Sequence, residues 1–213
     1  MKITIVYDNE TLRDGLIADW GFACVADAEG VRILFDTGAN SDILLHNMRN
    51  LGVAPASIDE IFISHSHWDH TGGLSGLLNI RQGKIKVYIP ASCSGDSDAA
   101  DFVTVSDPLE IRPRIFSTGE LRHIEQSLAV KTEEGVVVIA GCSHPGVREI
   151  LDAVAAHGRV KALVGGLHGF NEFDLLRDMD VVCATHCTQH KEAIASLYPE
   201  KFIRGGVGTV INL

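Results

Sequence analysis

The chain has 213 residues, of which 46% are hydrophobic and 22% are charged, and its formal net charge is -10 at pH 7. This composition excludes a disordered chain, and the acidic balance argues against a protein that coats nucleic acid. No apolar run approaches the roughly 20 residues that cross a bilayer. Five widely spread cysteines indicate a reducing compartment rather than a disulfide framework. We therefore expect one cytoplasmic domain, residues 1–213, with no nucleic-acid or membrane partner.

The first part of the chain predicts short apolar strands interrupted by two helices. Strands are expected at 3–7, 22–28, 31–37, 60–64 and 85–89, and helices at 41–51 and 71–81. Glu29-Gly30 is typical of a hairpin turn between the second and third strands. Ser41 is placed to cap the first helix and Gly52 to end it. Early hairpins of this kind indicate that the sheets are not purely parallel.

The second part predicts a long loop followed by alternating strands and helices. Residues 91–110 are rich in Ser, Asp and Ala without a period, which predicts a mobile loop or lid. Strands are expected at 111–116, 127–132, 136–141, 160–165, 181–185 and 207–212, and helices at 146–157, 172–179 and 190–197. Alternation of this kind favours helices packed over a sheet. We expect an α+β fold, an αββα four-layer sandwich with mixed sheets.

The strongest chemical signal is a group of ligand-type residues directly after the strand at 60–64. Within the stretch Ser64 to Gly73, the residues His65, His67, Asp69 and His70 offer three imidazoles and a carboxylate. Such ligands suit zinc, iron or manganese. A loop that leaves a strand can turn so that His65 and His67 face one ion while Asp69 and His70 face another. The pattern therefore predicts a metal centre.

Partners for two ions must come from elsewhere in the chain, and three further histidines follow strands. His144 follows the strand at 136–141, His168 follows 160–165, and His186 follows 181–185. Loops at the same ends of neighbouring strands converge, and binding sites are built there. A lone histidine is more often a hydrogen-bonded residue than a ligand, but a nearby metal cluster requires partners. We expect these histidines to approach residues 65–70.

Several motifs together carry a resemblance to a known family. Asp36-Thr37-Gly38, the cluster from His65 to His70 and the later strand-end histidines resemble the metallo-β-lactamase superfamily over nearly the whole chain. A narrower set is similar to the branch that includes archaeal dihydropterin synthases of methanopterin biosynthesis. The set comprises Phe35-Asp36-Thr37-Gly38, Glu125-Gln126-Ser127-Leu128, Gly141-Cys142-Ser143-His144-Pro145-Gly146, Gly165-Gly166-Leu167-His168 and Thr185-His186-Cys187-Thr188.

The resemblance implies a fold with a two-metal site at one edge of the sandwich. His65 and His67 would bind the first metal, while Asp69, His70 and His186 would bind the second. Asp36 would not be a ligand and would hold the metal-binding loop by hydrogen bonds. The cofactors would be two divalent transition metals, with zinc expected and iron or manganese as alternatives.

The chain departs from the superfamily pattern in the middle of the motif set. Superfamily members usually carry a histidine before a strand and a Gly-Asp after it, and that aspartate bridges the metals. Here the second position reads Gly141-Cys142, so we expect His144 to be the third ligand of the first metal. Cys142 is expected to be a buried inert thiol beside the metals, with a bridging thiolate as the alternative. His168 is expected to be a proton donor facing the substrate, with a ligand role as the alternative.

Two other residues near these motifs receive structural predictions. Cys187 belongs to Cys183-x-x-x-Cys187, which lacks the second pair of a zinc ribbon and predicts packing. Trp68 is expected to pack as a wedge beneath the loop, with the floor of a pocket as the alternative.

Three functions compete. The first hypothesis is a binuclear hydrolase that uses a metal-activated water on a small ester, phosphoester, lactone or thioester, with Asp69 and His168 as catalytic residues. The second is a dihydropterin-diphosphate-dependent transferase, in which an arylamine replaces water. The third is a non-catalytic metal-binding module. The expected partner is a small-molecule substrate, and the sequence leaves the oligomeric state open.

Overall fold

Strands account for most of the regular structure in residues 1–81 and 83–213, which the computed structural model describes. In chain order the strands are β1 Lys2–Tyr7, β2 Ala23–Ala28, β3 Val31–Phe35, β4 Glu60–Phe62, β5 Ile85–Pro90, β6 Ala100–Val105, β7 Leu109–Arg112, β8 Ile115–Ser117, β9 Leu128–Thr132, β10 Gly135–Ala140, β11 Val160–Gly166, β12 Val181–Thr185 and β13 Val210–Asn212. The helices are α1 Ser41–Asn50, α2 Trp68–Thr71, α3 Leu74–Ile80, α4 Val147–Val154 and α5 Lys191–Leu197.

The strands form two mixed sheets, as the sequence predicts. The first has the order β13-β1-β2-β3-β4-β5-β6 and the second has the order β12-β11-β10-β9-β8-β7. In the first sheet β13 to β3 are antiparallel, and β3 to β6 are parallel. In the second sheet β10, β11 and β12 run parallel, so the segments after them leave from one end of the sheet.

Three apolar layers hold the sheets and helices together. The central layer, between the sheets, includes Phe35 and Phe62, whose rings stack at 5.4 Å. A second layer packs α1 and α3 on the first sheet, through Leu44 and Leu77 among others. A third layer packs α4 and α5 on the second sheet, through Ile150. Fully burying side chains of this size contributes roughly 1.5–3 kcal/mol each. The layer order αββα is confirmed.

The segment 91–110 is not the loop that its composition predicts. Residues 100–105 form β6, which pairs with β5 along a parallel ladder from Ile85 opposite Ala100 to Pro90 opposite Val105. This is an edge strand whose middle residues are only partly buried, so no apolar period marks it in the sequence. Residues 109–112 form β7, and the lid prediction for the whole segment is therefore wrong.

Other boundaries differ from the predictions for local reasons. The cap of α1 is Asn40, not Ser41, because the Asn40 side chain accepts the backbone N–H groups of Asp42 and Ile43. Residues 173–176 form a single 3₁₀ turn where a helix was expected. The strand at 111–116 is divided between β7 and β8. None of the helices within the described part of the chain has the length and apolar character of a membrane span.

Candidate metal centre

A loop of residues 64–71, here called the histidine loop, follows β4 and is fixed by backbone contacts with the first sheet. His65, Asp69 and His70 are buried, while His67 is exposed. The Thr37 backbone N–H and hydroxyl both donate to the carbonyl oxygen of His70, at 2.8 and 2.9 Å. The Phe22 N–H donates to the carbonyl of Asp69. These contacts hold the imidazoles at the edge of the sandwich.

Asp36 holds the histidine loop with both carboxylate oxygens. Its Oδ1 accepts the Ser64 backbone N–H at 2.7 Å, and its Oδ2 accepts the Ser64 hydroxyl and His70 Nδ1, each at 2.7 Å. The Ser64 oxygen in turn lies 2.9 Å from His65 Nδ1. Because these Nδ1 atoms donate, the Nε2 atoms of His65 and His70 carry the free lone pairs. Asp36 therefore joins the end of β3 to the histidine loop by three hydrogen bonds.

Two clusters of ligand-type atoms form around the histidine loop. The three-histidine cluster contains His65, His67 and His144, with ring nitrogens all within 4.8 Å of one another. The mixed cluster contains Asp69, His70 and His186 with the same spacing. Within it, Asp69 Oδ2 lies 3.8 Å from His70 Nε2 and 3.4 Å from His186 Nε2. The histidines in the segments after β10 and β12 therefore reach the loop that follows β4.

Asn9, which follows β1, orients His186 and is not identified by the sequence analysis. Its side-chain oxygen lies 3.0 Å from His186 Nδ1, and its Nδ2 donates to the backbone carbonyl of His186. His186 also has a left-handed backbone, with φ of 50°. The ring is thus turned so that Nε2 faces Asp69. A single asparagine 177 residues away in the chain carries no local sequence signal for this role.

The two clusters fit divalent cations. His144 Nε2 and His186 Nε2 are buried and have no hydrogen-bond partner among residues 1–81 and 83–213. Buried polar atoms of this kind normally have a partner. His65 Nε2 lies 3.0 Å from His67 Nδ1, a distance at which one ring nitrogen donates a hydrogen bond to the other. Imidazole and carboxylate ligands suit zinc and related metals.

Electrostatics keep three of the ligands, His65, His144 and Asp69, in the forms that bind metals. Burial, together with the neighbouring imidazoles, lowers the pKa of His65 and brings the pKa of His144 to about 4. Burial would raise the pKa of Asp69, but the imidazoles of His186 and His70 lower it to about 2. At neutral pH the histidines His65 and His144 are therefore neutral and the aspartate is ionised.

Glu125, which the sequence shows only as part of the motif Glu125-Gln126-Ser127-Leu128, organises the segment that carries His144. Its buried carboxylate accepts four backbone N–H groups, those of residues 141 to 144, at 2.8 to 3.1 Å. Burial raises its pKa, although these N–H groups oppose the shift. The carboxylate therefore fixes the turn after β10. A carboxylate that binds backbone 16 to 19 residues away has no sequence pattern of its own.

Cys142 and Cys187 lie against the mixed cluster. Cys142 Sγ is 3.2 Å from His70 Nε2, and Cys187 Sγ is 3.3 Å from Cys142 Sγ. Cys142 also groups with His65 and His70, and separately with His144 and His168. The contact with Cys142 and the backbone N–H of His168 lower the pKa of the Cys187 thiol, although burial opposes the shift. Packing alone, predicted for Cys187, does not describe this position.

His168 lies beside the three-histidine cluster. Its ring is 4.6 Å from the ring of His144, and the residue is half-buried with a left-handed backbone, φ of 45°. It groups with Cys142 and His144, but it belongs to neither the three-histidine cluster nor the mixed cluster. Trp68 is 64% exposed, so it does not pack as a wedge beneath the loop, and that prediction is wrong.

The depressed pKa of His144 predicts a pH dependence in the metal-free protein. Between pH 6.5 and about 4 the unfolded chain protonates this imidazole and the folded chain does not. Stability from this residue is therefore fully present above pH 6.5 and is lost as the pH falls. Urea unfolding should show a shallower loss on acidification for His144→Gln than for the wild type. If the free energy of unfolding falls equally steeply with pH in the two proteins, the lowered pKa of His144 is contradicted.

Comparisons with known proteins agree with this architecture. The 7,8-dihydropterin-6-methyl-4-(beta-D-ribofuranosyl)-aminobenzene-5'-phosphate synthase of Methanocaldococcus jannaschii is 27% identical, over 90% of this chain and 88% of that protein. The crystal structure of Tm1679, a metal-dependent hydrolase of the beta-lactamase superfamily, is 26% identical with a TM-score of 0.78, covering 100% of this chain and 99% of that one. The ribonuclease Z of Ligilactobacillus salivarius is 40% identical, but over only 34% of this chain and 22% of that protein.

The family assignment rests on a match that covers more than half of the chain. The model of the metallo-beta-lactamase superfamily matches residues 21–148, a range that includes Asp36, the histidine loop and His144. The resemblance stated from the motifs and the α+β fold class are both confirmed. This protein belongs to the metallo-beta-lactamase superfamily.

Proposed function

We propose that this protein is a binuclear metal-dependent hydrolase that acts on a small ester, phosphoester, lactone or thioester. The observation that carries the proposal is the convergence of two clusters, His65 with His67 and His144, and Asp69 with His70 and His186. Bound divalent cations would make a water molecule acidic near neutral pH and would stabilise the negative charge that develops on the attacked group. Zinc is the expected metal for this set of ligands.

The protein's own residues supply the orientation and the proton transfers. Asp69 stays ionised at neutral pH, so it can accept a hydrogen bond from the attacking water while it binds a cation. Asn9 and Asp36 fix the rings of His186 and His70 by accepting their Nδ1 protons. Half-buried His168, beside His144, would protonate the leaving group.

One large cavity is not the proposed reaction site. It measures about 700 Å³ and is lined by residues of the β2–β3 hairpin, by Lys161 and by Val130, Thr132, Glu133 and Glu134, among others. Its cations are paired with acids, since Arg32 Nε lies 2.6 Å from Asp27 and Lys161 pairs with Glu134. Among the described residues that line it, none belongs to the histidine loop. We therefore place the substrate at the metal centre.

A second candidate is a transferase that uses a dihydropterin diphosphate and an arylamine. The observation that favours it is the relationship to the archaeal synthase over most of both chains. The two tryptophans of this protein, Trp20 and Trp68, are 52% and 64% exposed. The Trp20 ring lies 5.4 Å from the ring of His186, and Trp68 precedes Asp69. Exposed indole faces beside a metal centre are suited to a flat conjugated ring.

A substrate panel distinguishes the two candidates. Zinc-loaded or manganese-loaded protein is assayed with phosphodiester, lactone and thioester substrates, and separately with a pterin diphosphate with and without an arylamine. Hydrolysis predicts turnover without any amine, whereas the transferase predicts product only when the amine is present. Tryptophan fluorescence, compared in Trp20→Phe and Trp68→Phe, reports pterin binding independently of turnover. Failure to bind stoichiometric metal after reconstitution would contradict both candidates.

The role of His168 gives a separate prediction. His168→Ala should keep the metal content of the wild type and lose roughly 100- to 10,000-fold in turnover, because it removes a proton donor and no ligand. His168→Gln serves as a second variant with a similar volume. Metal content is measured by elemental analysis and turnover with the best substrate of the panel. Loss of metal in both variants would make His168 a ligand instead.

A further inference from the structure

Two cysteines from different strands bring their sulfurs into contact at the edge of the metal centre. Cys142 follows β10 and Cys187 follows β12, and their Sγ atoms are 3.3 Å apart. Both are free thiols. Cys142 is 3% exposed, whereas Cys187 is more accessible. Cys24 and Cys183, by contrast, are both fully buried in the central layer between the sheets.

Two neighbouring residues favour the contact between the sulfurs: Gly166 leaves room for it, and Glu125 fixes Cys142. A Cβ atom on Gly166 would lie 2.8 Å from Cys187 Sγ and 3.3 Å from the Cα of Cys142. A side chain at this position would therefore force the cysteines apart. Glu125 fixes Cys142 from the other side, since it accepts the Cys142 backbone N–H at 3.0 Å. The two sulfurs are thus held together by the fold and not by chance rotamers of exposed side chains.

We propose that Cys142 and Cys187 form a thiol-oxidation site that takes hydroperoxides and closes reversibly to a disulfide. The Cys187 sulfur attacks one peroxide oxygen, the O–O bond breaks, and a water molecule and a sulfenic acid on Cys187 are formed. The Cys142 sulfur then attacks the Cys187 sulfur, the S–O bond breaks, and a second water molecule leaves as the disulfide forms. Two thiols lose two protons and two electrons, and hydrogen peroxide becomes two water molecules.

Disulfide formation would alter the metal centre. Cys142 Sγ lies 3.2 Å from His70 Nε2, the atom whose lone pair faces the mixed cluster. A disulfide shortens the sulfur–sulfur distance to roughly 2 Å, so the sulfurs must approach each other by more than 1 Å. This movement changes the contact between the Cys142 sulfur and His70, a residue of the mixed cluster. Oxidised protein should therefore hold less metal, and metal that fixes His70 should slow the oxidation.

Peptide mapping tests the proposal directly. Full-length protein, with its metal and after chelation, is treated with a small excess of hydrogen peroxide, and the thiols are then blocked and the protein is digested without reductant. The expected result is a linked pair of peptides containing residues 142 and 187, lighter than the separate peptides by two hydrogen atoms. Dithiothreitol should restore both thiols. The zinc-loaded protein should form the link several-fold more slowly.

Variants identify the pair and keep the test decisive. Cys187→Ser should abolish the linked peptides, and Cys142→Ser should do the same and leave Cys187 as a sulfenic acid that a dimedone probe traps. Cys93→Ser should form the link at the wild-type rate, because Cys93 packs against the apolar layer between the first sheet and its helices and not against Cys142 or Cys187. If Cys142→Ser does not fold, the wild-type map and Cys187→Ser still decide the outcome. Unlinked sulfinic acids, or a disulfide between other cysteines, would overturn the proposal.

Discussion

Replacing Glu125 by alanine should lower the free energy of unfolding of the metal-free protein by roughly 3–5 kcal/mol. The reason is that the carboxylate accepts the backbone N–H groups of residues 141 to 144, and all four lie in buried or nearly buried surroundings. Without it these donors lose their shared partner, and the turn that positions His144 is no longer fixed. Urea unfolding measures the stability, and a zinc titration measures the accompanying loss of affinity.

Two other variants make the Glu125 result interpretable. Glu125→Gln keeps one acceptor oxygen and should lose less stability than Glu125→Ala. Glu200→Ala removes a glutamate whose side chain is 66% exposed and should change the free energy of unfolding by less than about 0.5 kcal/mol. A loss below about 1 kcal/mol in Glu125→Ala would show that water replaces the carboxylate at these N–H groups.

Asp36→Asn should weaken metal binding by roughly 10- to 100-fold, although Asp36 is not expected to touch the metal. Its carboxylate accepts three hydrogen bonds, from Ser64 N–H, the Ser64 hydroxyl and His70 Nδ1. The asparagine side chain would offer only one acceptor oxygen. Its NH₂ group, itself a hydrogen-bond donor, would face another donor. Asparagine tolerates the left-handed backbone at this position, φ of 54°, so the change tests the hydrogen bonds and not the fold.

A competition titration with a chromophoric zinc chelator measures this effect. Asp42→Asn is the matched control, because Asp42 is an exposed carboxylate in the first turn of α1. The control should bind zinc as the wild type does. If Asp36→Asn also binds zinc with wild-type affinity, the rings of His70 and His65 are oriented by the packing of the loop alone.

The layered fold follows from local patterns in the sequence. The elements that were not predicted correctly, β6 and the turn at 173–176, lack such patterns. Strands such as β10, Gly135–Ala140, are nearly continuous apolar runs buried on both faces, which the sequence makes plain. β6 has the burial of an edge strand, so its residues alternate weakly and resemble a loop. The 3₁₀ turn at 173–176 keeps the spacing of a helix for one turn only.

The candidate metal centre also contains some residues that the sequence indicates and others that it does not. His65, His67, Asp69 and His70 are contiguous in the chain, so the ligand pattern is visible without a structure. His144 and His186 follow apolar strands, and this position indicates that they converge. Asn9 and Glu125 act through contacts that join distant segments, and their residue types occur throughout the surface of ordinary proteins. Only the topology of the two sheets brings them to the site.

The sulfur–sulfur contact illustrates what sequence spacing cannot show. Cys142 and Cys187 are 45 residues apart and belong to separate motifs, and each one alone is compatible with simple packing. Their contact depends on β11 lying between β10 and β12, with Gly166 at its end. The parallel arrangement of these three strands is therefore what turns two unremarkable thiols into a pair.

The most direct test of the account is the number of metal ions bound by the wild type, His144→Ala and His186→Ala. The central claim is that the histidines that follow β10 and β12 complete two separate cation sites on the histidine loop. Elemental analysis after reconstitution with zinc should give two ions per chain for the wild type and one for each variant. Wild-type metal content in both variants would show that these histidines are not ligands, and the proposed centre would be wrong.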